Sequence, residues 1–405
     1  MNFKNKKITK IGILFDVDRK NGGSFQMSTN NLLAIVKNLK KLKIEFVILA
    51  HKRNLELENL NLKYQIVKLL ISDYFFLIIS NIPIFKDLFC KFNFKSAFEK
   101  KLVKNNIEMI IFFFVNWKSL LLKKVAFIST VLDVSHFDFW KKKKFKEISS
   151  IVFYAREYLY KTILPSSFRI ITESNDLKIK IAKLYKLKSN CIVSIPNLPS
   201  SLLYNKKKTK TESVIKKYNI PEKFYLYPAQ FWEHKNHLVI LKAIKNFKLK
   251  KKDINFVFCG RDQGYLANIQ NRINEYGIEK NITILDYVDD SELFLLYKSC
   301  EAMVMPSYFG PTNIPPVEAW SLGVPVLYSS LNRSHGKNAC FYFNADSSTQ
   351  LSKAILKLKC DKKKLVKKGK IRFKEIMIEN INGHKTLVND IKSFNTSLQK
   401  NINNV

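Results

Sequence analysis

The chain has 405 residues, 46% apolar and 13% aromatic, which supplies ample core and excludes a disordered or collagen-like polymer. Lys and Arg number 70 against 33 for Asp and Glu, a formal charge of +37 that excludes a surface built to attract cations and favours anionic partners: phosphates, acidic lipid or nucleic acid. This length calls for two domains rather than one core.

In chain order, an apolar strand is predicted over 10–15, then the loop DVDRKNGGS and an amphipathic helix over 25–42. Strands follow at 45–50, 108–115, 126–132, 168–173 and 191–195, with a helix over 176–187 between the last two. The run at 108–115 (EMIIFFFV) is apolar without alternation, as strands of a parallel sheet buried on both faces are. At Pro196-Asn197-Leu198-Pro199 the pattern breaks, and the Lys-rich stretch 206–211 reads as a linker. A second set has strands at 224–227, 255–259, 281–285, 302–305 and 324–328, with helices at 236–247, 265–276, 291–300 and 315–322. Strands alternating with helices predict βαβ units. The expected fold class is α/β, with Rossmann-like domains over 1–198 and 199–385 and a cleft between them. A last helix near 386–395, within 386–405, is expected to pack back on the first domain.

Glycine is scarce: 11 occur, none between Ser24 and Cys259. Gly22-Gly23, Gly260 with Gly264, Gly310 and Gly323 each stand beside a predicted strand end. That placement predicts loops at the carboxyl ends of strands, where open α/β sheets bind ligands. The six cysteines form no C-x-x-C pair and no Cys/His cluster, which argues for reduced thiols in a cytosolic protein and against structural zinc. No signal-peptide pattern opens the chain. The apolar segment 69–85 is bounded by Lys68 and Lys86 and carries Asp73 and Pro83. A span needs ~20 apolar residues, and an inner Asp costs roughly 2.5–3.5 kcal/mol, so a buried or membrane-dipping helical element is expected.

The run MPSYFGPTNIPPVEAWSLGVPV from Met305 to Val326 resembles the donor-sugar signature of the retaining GT-B glycosyltransferases of family 4. In that family a strand ends in Pro-Ser, a Gly-containing loop follows, and a helix carries a Glu before Gly-x-Pro-Val. The resemblance implies that Gly310, Thr312, Asn313, Ile314 and the helix start near Pro315 face the sugar and diphosphate, as helix N-termini hold anions. It gives Glu318 the ribose hydroxyls. The family usually carries two glutamates with seven residues between them; here the first falls at Gly310, and Thr312 and Asn313 are the nearest polar replacements.

The segment YPAQFWEHKNH from Tyr227 to His237 resembles the family loop in which an Arg and a Lys grip the diphosphate. Lys235 takes the Lys position and Gln230 stands where the Arg is usual. His234 and His237, at i and i+3, lack a third metal ligand nearby. Residues 260–264 and 283–290 match the family's middle region, and Asp289-Asp290 before Ser291 reads as a helix N-cap rather than a metal pair. In the first half, Gly22-Gly23 resembles the loop that closes on donor phosphates and acceptor. Asp133-Val134-Ser135-His136 resembles the family's Asp-x-x-His, with Leu132 where many members have His.

What the resemblance implies is retaining transfer of a sugar from a nucleotide diphosphate sugar to a glycan or lipid-linked glycan, in lipopolysaccharide or capsule assembly. Lys235, Asp133 and His136 would be its catalytic groups, with no metal and no bound cofactor. The basic excess places such an enzyme at the cytoplasmic face of an anionic cell membrane. Two rivals stand beside this reading. Asp16-Val17-Asp18 is a formal D-x-D, which in GT-A transferases holds a divalent metal. Lysine clusters at 141–144, 250–252 and 362–364 would suit a nucleic-acid-binding protein, though no recognition motif accompanies them.

Overall fold

The computed structural model describes residues 10–18, 22–80, 95–142, 149–200, 211–310 and 312–403. Outside them lie the expected linker over 206–210, the end of the apolar segment (81–85), Lys143, Lys144, Pro311 and Cys90. The chain forms two compact units. One is Met1–Val134 with Ser150–Ile195 and Asn380–Val405; the other is Ser135–Ser149 with Pro196–Glu379.

The first unit runs β1 (Lys10–Leu14), α1 (Gly23–Lys41), β2 (Phe46–Ala50), α2 (Leu55–Asn59), β3 (Tyr64–Ile66), α3 (Ile71–Ser80), α4 (Ala97–Lys104), β4 (Ile107–Phe112) and β5 (Ala126–Val131). After α5 (Ser135–Lys142), grouped with the second unit, come α6 (Ser150–Ile163), β6 (Arg169–Thr172), α7 (Asn175–Leu184) and β7 (Ile192–Ser194). The sheet order is β3-β2-β1-β4-β5-β6-β7, and all pairs are parallel. Both faces are covered, which is why the strands read as continuous apolar runs. Ile11, Ile13 and Phe15 pack with Leu32 and Ile35 of α1 and with Leu387 and Ile391. Leu14, Ile110 and Phe112 pack on the other face with Phe76, Phe98, Leu102 and Ile163. Strand β3, three half-exposed residues, and helix α6 were not expected from sequence.

The second unit runs α8 (Thr211–Lys217), β8 (Tyr225–Pro228), α9 (His237–Lys248), β9 (Phe256–Cys259), α10 (Leu266–Tyr276), β10 (Ile282–Leu285), α11 (Asp290–Ser299), β11 (Met303–Met305), α12 (Ile314–Leu322), β12 (Val326–Ser329), α13 (Arg333–Gly336) and β13 (Cys340–Phe343). Its parallel sheet has the order β10-β9-β8-β11-β12-β13. In each sheet the order reverses once, at β1/β4 and at β8/β11, and such a reversal opens a crevice at the carboxyl edge.

The final helix α14 spans Ser348–Asn403, 56 residues, far more than the ten predicted near its end. Its buried residues Leu351, Ile355, Leu358, Leu365 and Ile376 are separated by blocks of lysine, which hide the apolar stripe. Near its C-terminus, Asp390 Oδ2 accepts from Arg169 Nε at 2.8 Å, tying that end to β6.

The apolar segment resolves into α3. Asp73 is fully buried and accepts from the backbone N–H of Leu70 (2.9 Å), just before α3, and of Phe98 (2.8 Å), in the first turn of α4, so its carboxyl is satisfied by two amides. Among the described residues no helix is long and apolar enough to cross a membrane. The five cysteines among them are free.

Candidate functional site

Strands β8, β9 and β11 deliver three loops to one edge of the second sheet. Phe231 N–H donates to the Arg261 carbonyl at 3.0 Å, and Tyr308 N–H donates to that of His234 at 3.0 Å. Gly260 makes the first approach possible: a Cβ there would stand 2.2 Å from the Ala229 carbonyl oxygen. Asn236 fastens the third side. It sits at φ 59°, a left-handed conformation that Asn tolerates, and donates Nδ2 to the carbonyls of Pro306 (3.2 Å) and Ala345 (2.7 Å).

Lys235 is carried on this anchored turn. It ends the turn Glu233–Lys235, and its carbonyl accepts from Tyr227 Oη at 2.6 Å. Its side chain is half-buried, one residue before the N-cap of α9, which has no side-chain cap. A helix start without a capping side chain keeps its orphan N–H groups available to an anion. Gln230 Oε1 accepts from Trp232 Nε1 at 3.2 Å.

His237 is not a partner of His234 in any ligand set. Its ring is enclosed by Tyr227, Phe231 and Phe258, with centroids 4.6, 5.1 and 5.1 Å away. Burial, helped by Lys235 and His234, lowers its pKa to about 3, so it is a neutral core ring. Asp289 is the N-cap of α11, accepting from the N–H of Ser291 (2.8 Å) and Glu292 (2.9 Å), as the sequence suggested. Asp262 accepts from the amides of Gly264, Tyr265 and Leu266, which hold its carboxyl below the usual range.

In the loop after β11, Gly310 sits at φ 116°, and Thr312 and Asn313 are buried. Ile314 opens α12, followed by Pro315 and Pro316. Those two prolines carry no N–H, which corrects the expectation that the helix start near Pro315 supplies the donors. The N–H groups on offer belong to the loop and to Ile314. Glu318, one turn further, is buried rather than solvated, and its Oε2 accepts from Tyr297 Oη at 2.8 Å. Sequence reasoning did not single out Tyr297 or Asn236, since each acts through hydrogen bonds to residues distant in the chain.

Gly22, Gly23 and Asp133 belong to the first unit, and the remaining predicted site residues, His136 included, to the second. Gly22 sits at φ 56° as the N-cap of α1, again without a side-chain cap. Asp133 Oδ1 lies 3.3 Å from Arg156 Nη2, and its carbonyl accepts from Tyr160 Oη at 3.1 Å. Burial, then the charge of Asp133, pushes the Tyr160 phenol up to about 12. His136 is buried in the first turn of α5.

A cluster missed in the sequence lies at the carboxyl edge of the first sheet. Asp16 Oδ2 is 2.8 Å from Lys118 Nζ and 3.7 Å from His51 Nε2. His51 Nδ1 is 2.7 Å from the Val67 carbonyl, which as an acceptor places the ring proton on Nδ1. Burial and then Lys118 lower the His51 pKa. The first carboxylate of the D-x-D is thus matched by a cation of the chain itself. Among the described residues no group of three His, Cys, Asp or Glu side chains is placed to hold a metal.

Residues 210–372 match the family model for glycosyl transferases group 1. The chain is 29% identical over 201 residues to the O-antigen chain mannosyltransferase RfbU of Salmonella typhimurium, covering 49% of this chain and 53% of that protein. It is 26% identical over 170 residues to O-antigen chain mannosyltransferase B of Escherichia coli, covering 42% and 45%. It therefore spans about half the length of these curated relatives. Among solved structures it resembles a glycosyltransferase of Rickettsia africae, with TM-score 0.68, 16% identity and coverage of 97% and 99%. It also resembles HepE of Anabaena in complex with UDP, with TM-score 0.67, 14% identity and coverage of 95% and 100%. With two parallel-sheet units of Rossmann strand order, the chain has the GT-B fold.

Proposed function

We propose that the protein is a glycosyltransferase that moves a sugar, a hexose such as mannose, from a nucleotide diphosphate sugar to a glycan or lipid-linked glycan, with retention, in surface-polysaccharide assembly. The observation that carries this reading is the anchored edge of the second sheet, where Lys235, the amides of Gly310 and 312–314 and the buried Glu318 come from the segments after β8 and β11, at the reversal of strand order. The group 1 match over the same residues and the names of the two O-antigen relatives support it.

In this reading Glu318 accepts from the ribose hydroxyls, while Lys235 and the amides of the loop after β11 neutralise the diphosphate. Gln230 precedes that turn in the same loop after β8. Thr312 and Asn313 contact the donor sugar in place of the absent first glutamate. Asp133 and His136 position the acceptor. On one face of the sugar ring, the bond from the anomeric carbon to the diphosphate oxygen breaks as the acceptor oxygen bonds to that carbon. The acceptor's proton passes to the departing diphosphate. No resident metal or cofactor takes part, and the enzyme works at the cytoplasmic face of the membrane.

Thermal-shift measurements with UDP-, GDP- and ADP-sugars test the proposal. Stabilisation by one nucleotide sugar, unchanged by EDTA, supports it. No response to any donor, together with a salt-dependent shift of RNA or DNA, would favour the nucleic-acid reading instead.

A further inference from the structure

Helices α3 and α6 cover the same face of the first sheet, and both pack against the short turn Trp117–Leu121. Each turns an apolar stripe outward. On α3 the stripe is Ile71, Tyr74, Phe75 and Ile78, at i, i+3, i+4 and i+7, with Ile71 76%, Phe75 60% and Ile78 64% exposed. On α6 it is Ile151, Tyr154, Ala155 and Tyr158 at the same spacing, with Ile151 81% exposed. One amphipathic helix with a solvent-exposed apolar stripe is ordinary; two neighbouring ones point to a surface that covers them.

The charges around the stripes identify that partner. On α3, α4, α6 and the turn between them, the acids are Asp73, Glu99 and Glu157, and all three are buried. Asp73 serves backbone amides, and Glu99 Oε1 accepts from the N–H groups of Lys123, Lys124 and Val125. Lys68, Lys100, Lys104, Lys123, Lys124 and Lys161 are exposed. Among the described residues every exposed charge of this patch is therefore positive, while its centre is apolar. A protein partner would need its own acidic rim; an anionic bilayer presents acidic headgroups over an apolar interior, and both signals together give stable attachment.

We propose that the α3/α6 face of the first unit is a docking surface for an anionic lipid bilayer, with the two stripes inserted and the lysines on the headgroups. This extends the membrane location in the proposed function by naming the surface. Phe76, although inside the same apolar run, is in the core and takes no part.

The test is co-sedimentation with phosphatidylglycerol/phosphatidylcholine vesicles and with pure phosphatidylcholine vesicles, at low and high salt. Nucleotide-sugar thermal shift is read on the same samples, so that loss of the donor site is scored separately. The wild-type chain should pellet with the anionic vesicles alone, less at high salt. Phe75→Glu with Ile78→Glu should lower the partition about tenfold or more while keeping the melting temperature and the donor response. Should that variant fold poorly, Lys100→Gln, Lys104→Gln, Lys123→Gln and Lys124→Gln together should abolish the salt-sensitive part and leave the fold intact. Wild-type protein remaining in the supernatant with anionic vesicles overturns the proposal. So does equal binding to pure phosphatidylcholine, full binding by the Glu variant, or a change of oligomeric state in place of a change in pelleting.

Discussion

Asn313 Nδ2 donates to Tyr328 Oη at 2.8 Å, and that hydroxyl lies 3.2 Å from His335 Nδ1. A strand interior thereby holds a side chain of the loop after β11. The loop has no slack at Gly310: its φ is 116°, and a Cβ would stand 2.7 Å from Asn313 Oδ1. Tyr328→Phe leaves the buried amide of Asn313 without that acceptor, a loss of about 1–3 kcal/mol, measurable by denaturant titration. Gly310→Ala should raise the Kd for the nucleotide sugar more than it lowers the melting temperature, because it pushes Asn313 aside. An unchanged Kd in calorimetric titration would remove this loop from the donor site.

Lys235 contributes to the fold through its carbonyl, which Tyr227 holds and which any residue would supply. The proposed function assigns its ammonium to the diphosphate. Lys235→Ala should cut turnover and weaken binding of the nucleoside diphosphate itself, with little change in melting temperature. Lys235→Arg should recover part of the affinity, since the charge remains. Equal losses of stability and activity would make the residue structural.

Much of this architecture could be read from the sequence, because parallel strands buried on both faces are apolar runs that local pattern detects, as at 108–115. The site residues came from a contiguous stretch, Met305 to Val326, whose glycines and prolines mark the loop directly. What escaped was non-local. Asp16 and Lys118 are 102 positions apart, and only the order β1-β4 in the sheet brings them to 2.8 Å. Tyr297 and Glu318 meet across α11 and α12 in the same way. The long helix α14 was cut short because its lysine blocks dilute the apolar period.

Glu318 is buried with Tyr297 as donor to one oxygen. Glu318→Gln keeps the shape and a bond to Tyr297, but weakens acceptance from ribose hydroxyls. A hydrogen bond to a charged group contributes ~1.5–3 kcal/mol. The wild type should therefore prefer a ribose nucleotide over its 2′,3′-dideoxy analogue, and the variant should lose most of that preference. Equal affinity of the wild type for both nucleotides would end the ribose assignment.

The last prediction concerns acid. His237 and His335 both have pKa values lowered to about 3, by burial first and then by Lys235 and Arg372 respectively. His237 is the cleaner case, since neither ring nitrogen has a hydrogen-bond partner among the described residues. Below pH 6.5 the unfolded chain takes up a proton at this position and the folded chain does not, until the pH approaches 3. The stabilisation from a neutral His237 is therefore complete above pH 6.5 and is lost as the pH falls through that window, at about 1.4 kcal/mol per pH unit. His237→Phe fills the pocket between Tyr227, Phe231 and Phe258 with a ring that does not titrate. Chemical denaturation at about pH 7 and about pH 5 should show the variant gaining roughly 2 kcal/mol on the wild type over that interval. If the two proteins lose stability in parallel, His237 is not the group whose burial resists protonation.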